Sequence, residues 1–282
     1  MELAQVYRRK LWNSDGLGSE VFEPADAALR RALALVPDLA QAHAGLGFSR
    51  LWFDFDWPGA ELTFRRALSL HPETATAHWG LAGLLLLQGR LHEGFIHLRT
   101  ARSLDPMSPV YNTVEASYLL GNGQRAEAER RLKRSLDISP DLWLTHLALG
   151  LLHVHDRRFE QGIAAMRRAV ELADATTRPR SVLGVHLARL GESEGARTIL
   201  NQLLTESKTR YVTPTSIASL HAALGEVPLA LAALERGLVV RDVRMAFIKD
   251  DPHWISLRAE PRFAALMKTL KLDRLGRGLT PI

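Results

Sequence analysis

Prolines recur along this chain at the interval of a two-helix hairpin. Pro37, Pro72, Pro106 and Pro140 follow one another at 35, 34 and 34 residues. The stretch from Asp56 to Pro106 holds two copies of one pattern, each an apolar helical segment, a turn, a second segment and a proline. In front of each proline, small residues bracket a large one: Ala60, Phe64 and Ala67, then Gly94, Leu98 and Ala101. Residues three and four apart share a helix face, so each set forms one stripe. The small residues admit a neighbouring helix, and the large one fills the space beside it. A hairpin of this size cannot bury its own face, so copies must stack. The spacing predicts an all-α solenoid of about seven hairpins.

The period divides residues 1–282 into a single array. A degenerate first repeat occupies 1–37, with Val6 to Trp12 as its first helix, a loop from Asn13 to Glu23, and Pro24 opening its second helix. Further repeats occupy 38–72, 73–106, 107–140, 141–174, 175–208 and 209–242. FDFDWP makes the loop of the second repeat one residue longer than the others. Asp174 replaces the expected proline of the fifth repeat, and the turns Leu190-Gly191-Glu192 and Leu224-Gly225-Glu226, one period apart, recover the sixth and seventh. Residues 243–282 read as a capping tail, whose Leu257, Phe263, Leu266, Met267 and Leu270 would close the exposed end of the stack before a frayed terminus from Gly276. The array opens without a polar capping helix, which leads to the expectation that more protein precedes residue 1.

Composition sets limits on function. The 46% hydrophobic content suits an extended core. With no cysteine, disulfides, thiolate chemistry and cysteine-ligated zinc are excluded. The formal charge of +5 comes mainly from arginine, since only six lysines occur. The longest strictly apolar run, Leu229 to Leu234, is far too short for a bilayer span, and the amino terminus lacks the apolar core of a secretion signal. A soluble, cytoplasmic protein is the expectation.

The same residues resemble the tetratricopeptide repeat. The signature appears as His43, Leu46, Gly47, Ala60, Phe64, Ala67 and Pro72. It recurs as His78, Leu81, Ala82, Gly94, Leu98, Ala101 and Pro106, then as His146, Leu149, Gly150, Gly162, Met166 and Ala169, and continues in Leu183, Gly184, Ala196 and Leu200. The resemblance covers residues 6 to 240 and implies a right-handed superhelix whose first helices line a concave face. A narrower resemblance, on PDLAQAHAGLG, DWPGAE and DDPHWISLRAEPRFAALMKTL, is to the carboxy-terminal repeat region of large bacterial signalling and transcriptional regulatory proteins. It implies a sensory or scaffolding module.

By helical phase the concave groove offers Phe48, Trp52, Trp79, Gly83, Thr113, Ser117 and Leu151, a surface apolar and small-polar rather than charged. Such a groove suits an extended or helical peptide. The charged clamp by which some members of the resembled family grip a terminal carboxylate is not expected, because its positions read Ala44, Phe48, Gly80, Val110 and Val114. On the second helices Arg30, Arg31, Arg65, Arg66, Arg134, Arg167 and Arg168 recur at one phase, with Lys133 beside Arg134. They draw a basic ridge along the convex side, explained equally by cations near helix C-termini. No aromatic interleaving or recognition-helix pattern accompanies it, which argues against nucleic acid.

His43, His78 and His146 share one repeat position and read as large packing residues. His153 and His155 point apart on a helix, His92 and His97 are isolated, and no metal site follows. No HExxH or P-loop spacing occurs, and the one remaining cluster, Asp250-Asp251-Pro252-His253-Trp254, reads as a cap. The sequence therefore predicts no enzyme, no cofactor and no metal. A non-catalytic scaffold for a peptide or protein partner is the leading expectation, with self-association as the alternative and nucleic-acid contact through the basic convex ridge as a less favoured one.

Overall fold

Helical hairpins follow one another through the whole of the computed structural model, which describes residues 15–173 and 176–279. The expected helix from Val6 to Trp12 and the substitution at Asp174 lie outside the described residues. Helix α1 spans Gly18–Leu35. The hairpins are α2 (Ala40–Ser49) with α3 (Trp57–Leu70), α4 (Ala75–Leu87) with α5 (Leu91–Leu104), and α6 (Pro109–Gly121) with α7 (Arg125–Ile138). They continue as α8 (Trp143–His155) with α9 (Phe159–Leu172), α10 (Arg178–Arg189) with α11 (Ser193–Glu206), and α12 (Pro214–Ala223) with α13 (Val227–Val239). A tail of two short 3-10 turns, Val243–Phe247 and Pro252–Leu257, leads to α14 (Pro261–Thr269). Among the described residues there is no strand.

The stripe works as its residue sizes dictate. Phe64 of α3 is fully buried and packs edge-on against Phe48 of α2, with ring centroids 5.1 Å apart. A Cβ on Gly47 or Gly80 would lie 2.6 or 2.3 Å from the Phe64 ring. Between α8 and α9 the backbones themselves approach, since a Cβ on Gly150 would lie 3.0 Å from the Gly162 carbonyl oxygen.

The turns repeat in dihedral space as well. Phe55, Gly89, Gly123, Arg157, Gly191 and Gly225 all take positive φ, at 53°, 82°, 76°, 58°, 90° and 77°, and stand 34 residues apart. Four are glycine, for which this conformation carries no Cβ penalty. The extra residue of the FDFDWP loop is absorbed in a π-helical stretch, Arg50–Asp54, immediately before Phe55.

Three sequence expectations change. Helix α1 begins at Gly18, so Pro24 lies inside it rather than at its first turn. Val21 and Phe22 are buried, and Phe22 stacks on Phe53 at 5.3 Å. Their burial holds in helical form a segment that Gly16, Gly18 and Pro24 mark as a loop. The repeat-position histidines, expected as packing residues, are half-buried and also act as hydrogen-bond donors. His43, His78 and His146 donate from Nε2 to the carbonyls of Pro37, Pro72 and Pro140 at 2.9, 2.8 and 2.7 Å, and Asn112 reaches Pro106 in the same way at 3.4 Å. Each ties a first helix to the turn before it. His97 is not isolated, because its Nδ1 lies 2.7 Å from that of His78. His78 spends its Nε2 proton on Pro72, so His97 is the donor of that pair.

The tail does more than cap the last hairpin. Leu257, Phe263, Leu266, Leu270 and Leu272 share one buried cluster with Phe48, Leu51, Trp57 and Leu81 from the second and third repeats. Trp57 Nε1 donates to the Leu270 carbonyl at 2.9 Å, and the guanidinium of Arg241 lies over the Phe53 ring. The frayed end expected from Gly276 is overturned as far as Leu279. Its amide donates to Leu86 O at 2.9 Å, and Gly278 N donates to Asp250 at 2.9 Å. The solenoid is thereby closed on itself through its tail.

Gly191→Ala, which meets no atom within 4 Å, will lose about 1 kcal/mol from the left-handed conformation alone. Arg157→Gly will gain roughly 0.5 kcal/mol, the relief of φ being partly offset by greater freedom in the unfolded chain. Urea denaturation of both variants checks the opposite signs. Trp57→Phe keeps the ring packing but orphans the Leu270 carbonyl, a cost of about 1–2 kcal/mol. Hydrogen exchange will quicken at residues 270–279 before it does in the middle repeats.

Candidate functional site

The closed array surrounds an open cavity of about 1250 Å³. One wall is built from first helices: Phe48 of α2, Trp79 and Gly83 of α4, Ser117 and Tyr118 of α6, and Leu144, Leu151 and Val154 of α8. The regular advance of the hairpins turns the same face of each first helix inward. Trp52 joins this wall from the π-helical stretch after α2.

Of the groove residues expected from phase, Phe48, Trp52, Trp79, Gly83, Ser117 and Leu151 line the cavity, but they differ in character. Phe48 is 1% exposed and sits among Trp52, Phe64 and Trp79 at centroid distances of 4.7, 5.1 and 5.3 Å, which makes it a joint between repeats first. Trp52 and Trp79 are half-buried and meet edge to face at 6.1 Å. Thr113 is placed elsewhere. It is fully buried and bonded to Ser135 at 2.9 Å and Thr145 at 2.8 Å, and Ser135 and Thr145 are themselves 2.9 Å apart. This hydroxyl triad joins α6, α7 and α8 inside the stack, where each oxygen satisfies the others.

The opposite wall overturns the expectation of an uncharged groove. It is made by α10, α12 and the tail, and it brings Arg178, Arg189, Arg244, Lys249 and Arg258 to the cavity, with Asp242, Asp250 and Asp251. Counting Arg157, Arg277 and Asp15, seven basic and four acidic side chains line it. Helical phase within the repeats could not show this, because most of these charges lie on a segment outside the period. The Asp250-to-Trp254 cluster does cap its turn, with Asp251 accepting from His253 N at 2.8 Å, yet it also faces the cavity.

The carboxylates of this wall are committed. Asp242 accepts from Thr215 N at 3.0 Å and Thr215 Oγ1 at 2.7 Å, and Asp15 accepts from Thr177 N at 3.1 Å. Asp251 lies 2.6 Å from His253 Nδ1. Burial pushes the Asp251 carboxyl up, but His253 and Arg244 outweigh it and hold the group below the usual range. Burial pushes Arg178 well below the ordinary guanidinium range, and the nearby Arg244 charge adds to the fall. His186 is lowered to about 3 by burial first and then by His253 and Arg189.

The convex ridge is spent differently. Arg30, Arg31, Arg65, Arg66, Arg134, Arg167 and Arg168 are all exposed. Arg66 pairs with Asp38 at 2.8 Å and Arg168 with Asp141 at 3.1 Å, each to the residue after its hairpin's leading proline. Arg65 joins Glu61, Arg90 and Glu93 in a four-membered network. Surface pairs of this kind hold geometry more than they stabilise. Among the described residues no group of three or more metal-ligating side chains comes together, and no helix is long and apolar enough to cross a membrane.

A family model described as tetratricopeptide repeat matches residues 52–109, 113–179 and 147–210. No curated protein matches the chain. Among solved structures, the human IFIT1 dimer with m7Gppp-AAAA is 18% identical with a TM-score of 0.63, over 78% of this chain and 55% of that one. PilW, a type IV pilus biogenesis factor, is 18% identical with a TM-score of 0.55, over 77% and 96%. The APC/C hetero-tetramer Cut9-Hcn1 is 18% identical with a TM-score of 0.57, over 75% and 42%. The chain thus spans about half the length of the IFIT1 and Cut9-Hcn1 chains it matches. Likenesses at this identity establish the helical-repeat fold.

His186 stays neutral in the folded chain, whereas the unfolded chain takes up a proton near the ordinary value of 6.5. Its depressed value therefore contributes stability above pH 6.5 that is lost as the pH falls toward about 3. His186→Gln will remove that part of the acid sensitivity. Urea midpoints at pH 7 and pH 5 will converge toward one another in the variant relative to the parent.

Proposed function

The chain belongs to the tetratricopeptide repeat family, and from that membership we propose that it is a non-catalytic interaction scaffold whose central cavity holds a protein or peptide partner. One observation carries the reading: successive first helices turn Trp79, Ser117, Leu144 and Leu151 toward a single cavity of about 1250 Å³. A cavity of that size exceeds a usual small-molecule site and suits an extended segment, with aromatic and aliphatic walls for contact and polar groups for orientation. Its aromatic side chains are anchored by one another, so they present a preorganised surface. The phrases PDLAQAHAGLG and DDPHWISLRAEPRFAALMKTL support placing this scaffold in a regulatory or sensory part of a larger bacterial protein. No cofactor enters this reading.

The test uses partner capture on the immobilised chain with two controls of opposite expectation. Leu151→Arg places a charge on the cavity wall, while Arg167→Glu changes the convex ridge. A specific partner will be retained by the parent and by Arg167→Glu, and its retention will fall about tenfold or more with Leu151→Arg, the loss expected of a buried contact residue. Retention that survives Leu151→Arg and fails with Arg167→Glu would move the site to the outer face.

A further inference from the structure

We infer that the wall where the tail crosses α10 is an anion-binding pocket, formed by Arg178, His186, Arg189, Arg244 and His253, and that it takes the carboxylate side chain of an acidic residue on the bound peptide. The inference rests on the cavity being the partner site and adds what that partner must carry.

Unmet hydrogen-bonding capacity is concentrated at this place. Arg178 Nε, His186 Nε2 and His253 Nε2 are buried atoms with no partner, and they are three of only five such atoms among the described residues. All three residues line the cavity. His186 is 6% exposed, and its ring stands edge-on to that of His253 at 6.1 Å. Buried polar atoms are rarely left without a partner, and a cluster of them marks a place where something else supplies it.

The charges tell the same story. Among the described residues the Arg178 and Arg244 guanidiniums make no ion pair, and Arg189 donates only to the Pro252 carbonyl, at 3.1 Å. The acid in this neighbourhood, Asp251, gives its close contacts to His253, at 2.6 Å from Nδ1 and 2.8 Å from the amide. Asp242 is likewise engaged, by Thr215 and the Arg244 amide. Acceptors on this wall are used, while Arg178 Nε, His186 Nε2 and His253 Nε2 have no partner. The Arg178 and Arg244 charges disfavour one another with Asp251 as their shared nearby acid, and an entering carboxylate relieves that repulsion while filling the empty bonds.

A peptide carboxylate fits better than a polyanion. The orphaned donors are buried atoms, which a single carboxylate reaches more readily than a phosphate backbone does, and the lining offers aliphatic Leu144, Leu151, Val154 and Val182 beside the aromatic Tyr211, Phe247 and Trp254. An acidic residue flanked by aliphatic ones matches both features.

Calorimetric titration of the full chain tests this with three probes: the blocked peptide Ac-AVEEVA-NH2, its neutral counterpart Ac-AVQQVA-NH2, and 5′-phosphorylated oligoadenylate. The glutamate peptide will bind at least about tenfold more tightly than the glutamine peptide, and Arg178→Met or Arg244→Met will each remove about that factor, the expected worth of a charge-assisted contact. Arg167→Met on the convex side will leave the affinity unchanged. Equal binding of the two peptides, lost in Leu151→Arg, would overturn the anion pocket while leaving the cavity as the partner site. Absence of binding by either peptide, or tighter binding of oligoadenylate through the same arginines, would also overturn it. A ligand-free readout guards against misfolded variants: Arg178→Met removes an uncompensated charge and will raise Tm by roughly 2 °C. A fall in Tm would mean that Arg178 serves the fold rather than a ligand.

Discussion

A helical hairpin of this kind has two faces to cover and can cover neither alone, so every part of the molecule depends on neighbours lying against it. Within the array the next hairpin supplies the cover, through contacts such as Phe64 seated against Gly47 and Gly80. The last hairpin has no successor, and its exposed face would leave apolar surface in water. The tail resolves this by lying on α13 and then continuing to the second and third repeats, where Trp57 holds Leu270 and Leu86 holds Leu279. Ring closure is thus the end-capping problem solved with one segment, and the central cavity is its by-product.

Polar groups in the molecule divide by what they bind. Inside the stack they are consumed locally. The Thr113, Ser135 and Thr145 hydroxyls satisfy one another, and buried Glu115 is gripped by Arg102 and Arg131. Histidines and an asparagine tie each proline turn to the helix that follows, and on the convex face Arg66 and Arg168 pair with acids of their own hairpin while Arg65 also reaches the next one. On the cavity wall at α10 and the tail three buried donor atoms stay without an acceptor, out of five such atoms among the described residues. That asymmetry directs attention to the concave side even though the most regular run of arginines lies outside.

The stacking of hairpins was legible in the chain because it depends on residue size at a fixed spacing. Phe64, Leu98 and Met166 are each buried beside small residues, as a stripe of that spacing requires. Inward-facing positions followed from phase for Trp79, Ser117 and Leu151. Thr113 shows the margin of that method, since one step of rotation carries a side chain from the cavity into the joint between helices. Pro24 and the histidines at 43, 78 and 146 were legible as special residues but not in their roles. The first was overridden by burial of Val21 and Phe22, and the others act through a carbonyl six residues away, which no hydrophobic pattern reports. A positive φ at Arg157 and Phe55 could be inferred from the glycines one period on, had the turn positions been aligned by number alone.

Period, helix content and the small-against-large stripe are local properties, set within some 34 residues by sterics and burial, and the chain carries them openly. The closure of the ring, the partnership of Trp57 with Leu270 across 213 residues, and the meeting of Arg178 with Arg244 and His253 belong to the tertiary structure. They arise because the hairpins turn by a small angle at each step, and the sum of those turns brings the tail to the second repeat. A rotation accumulated over the whole array leaves no mark on any one repeat, so the charged wall of the cavity became visible only when the chain was folded.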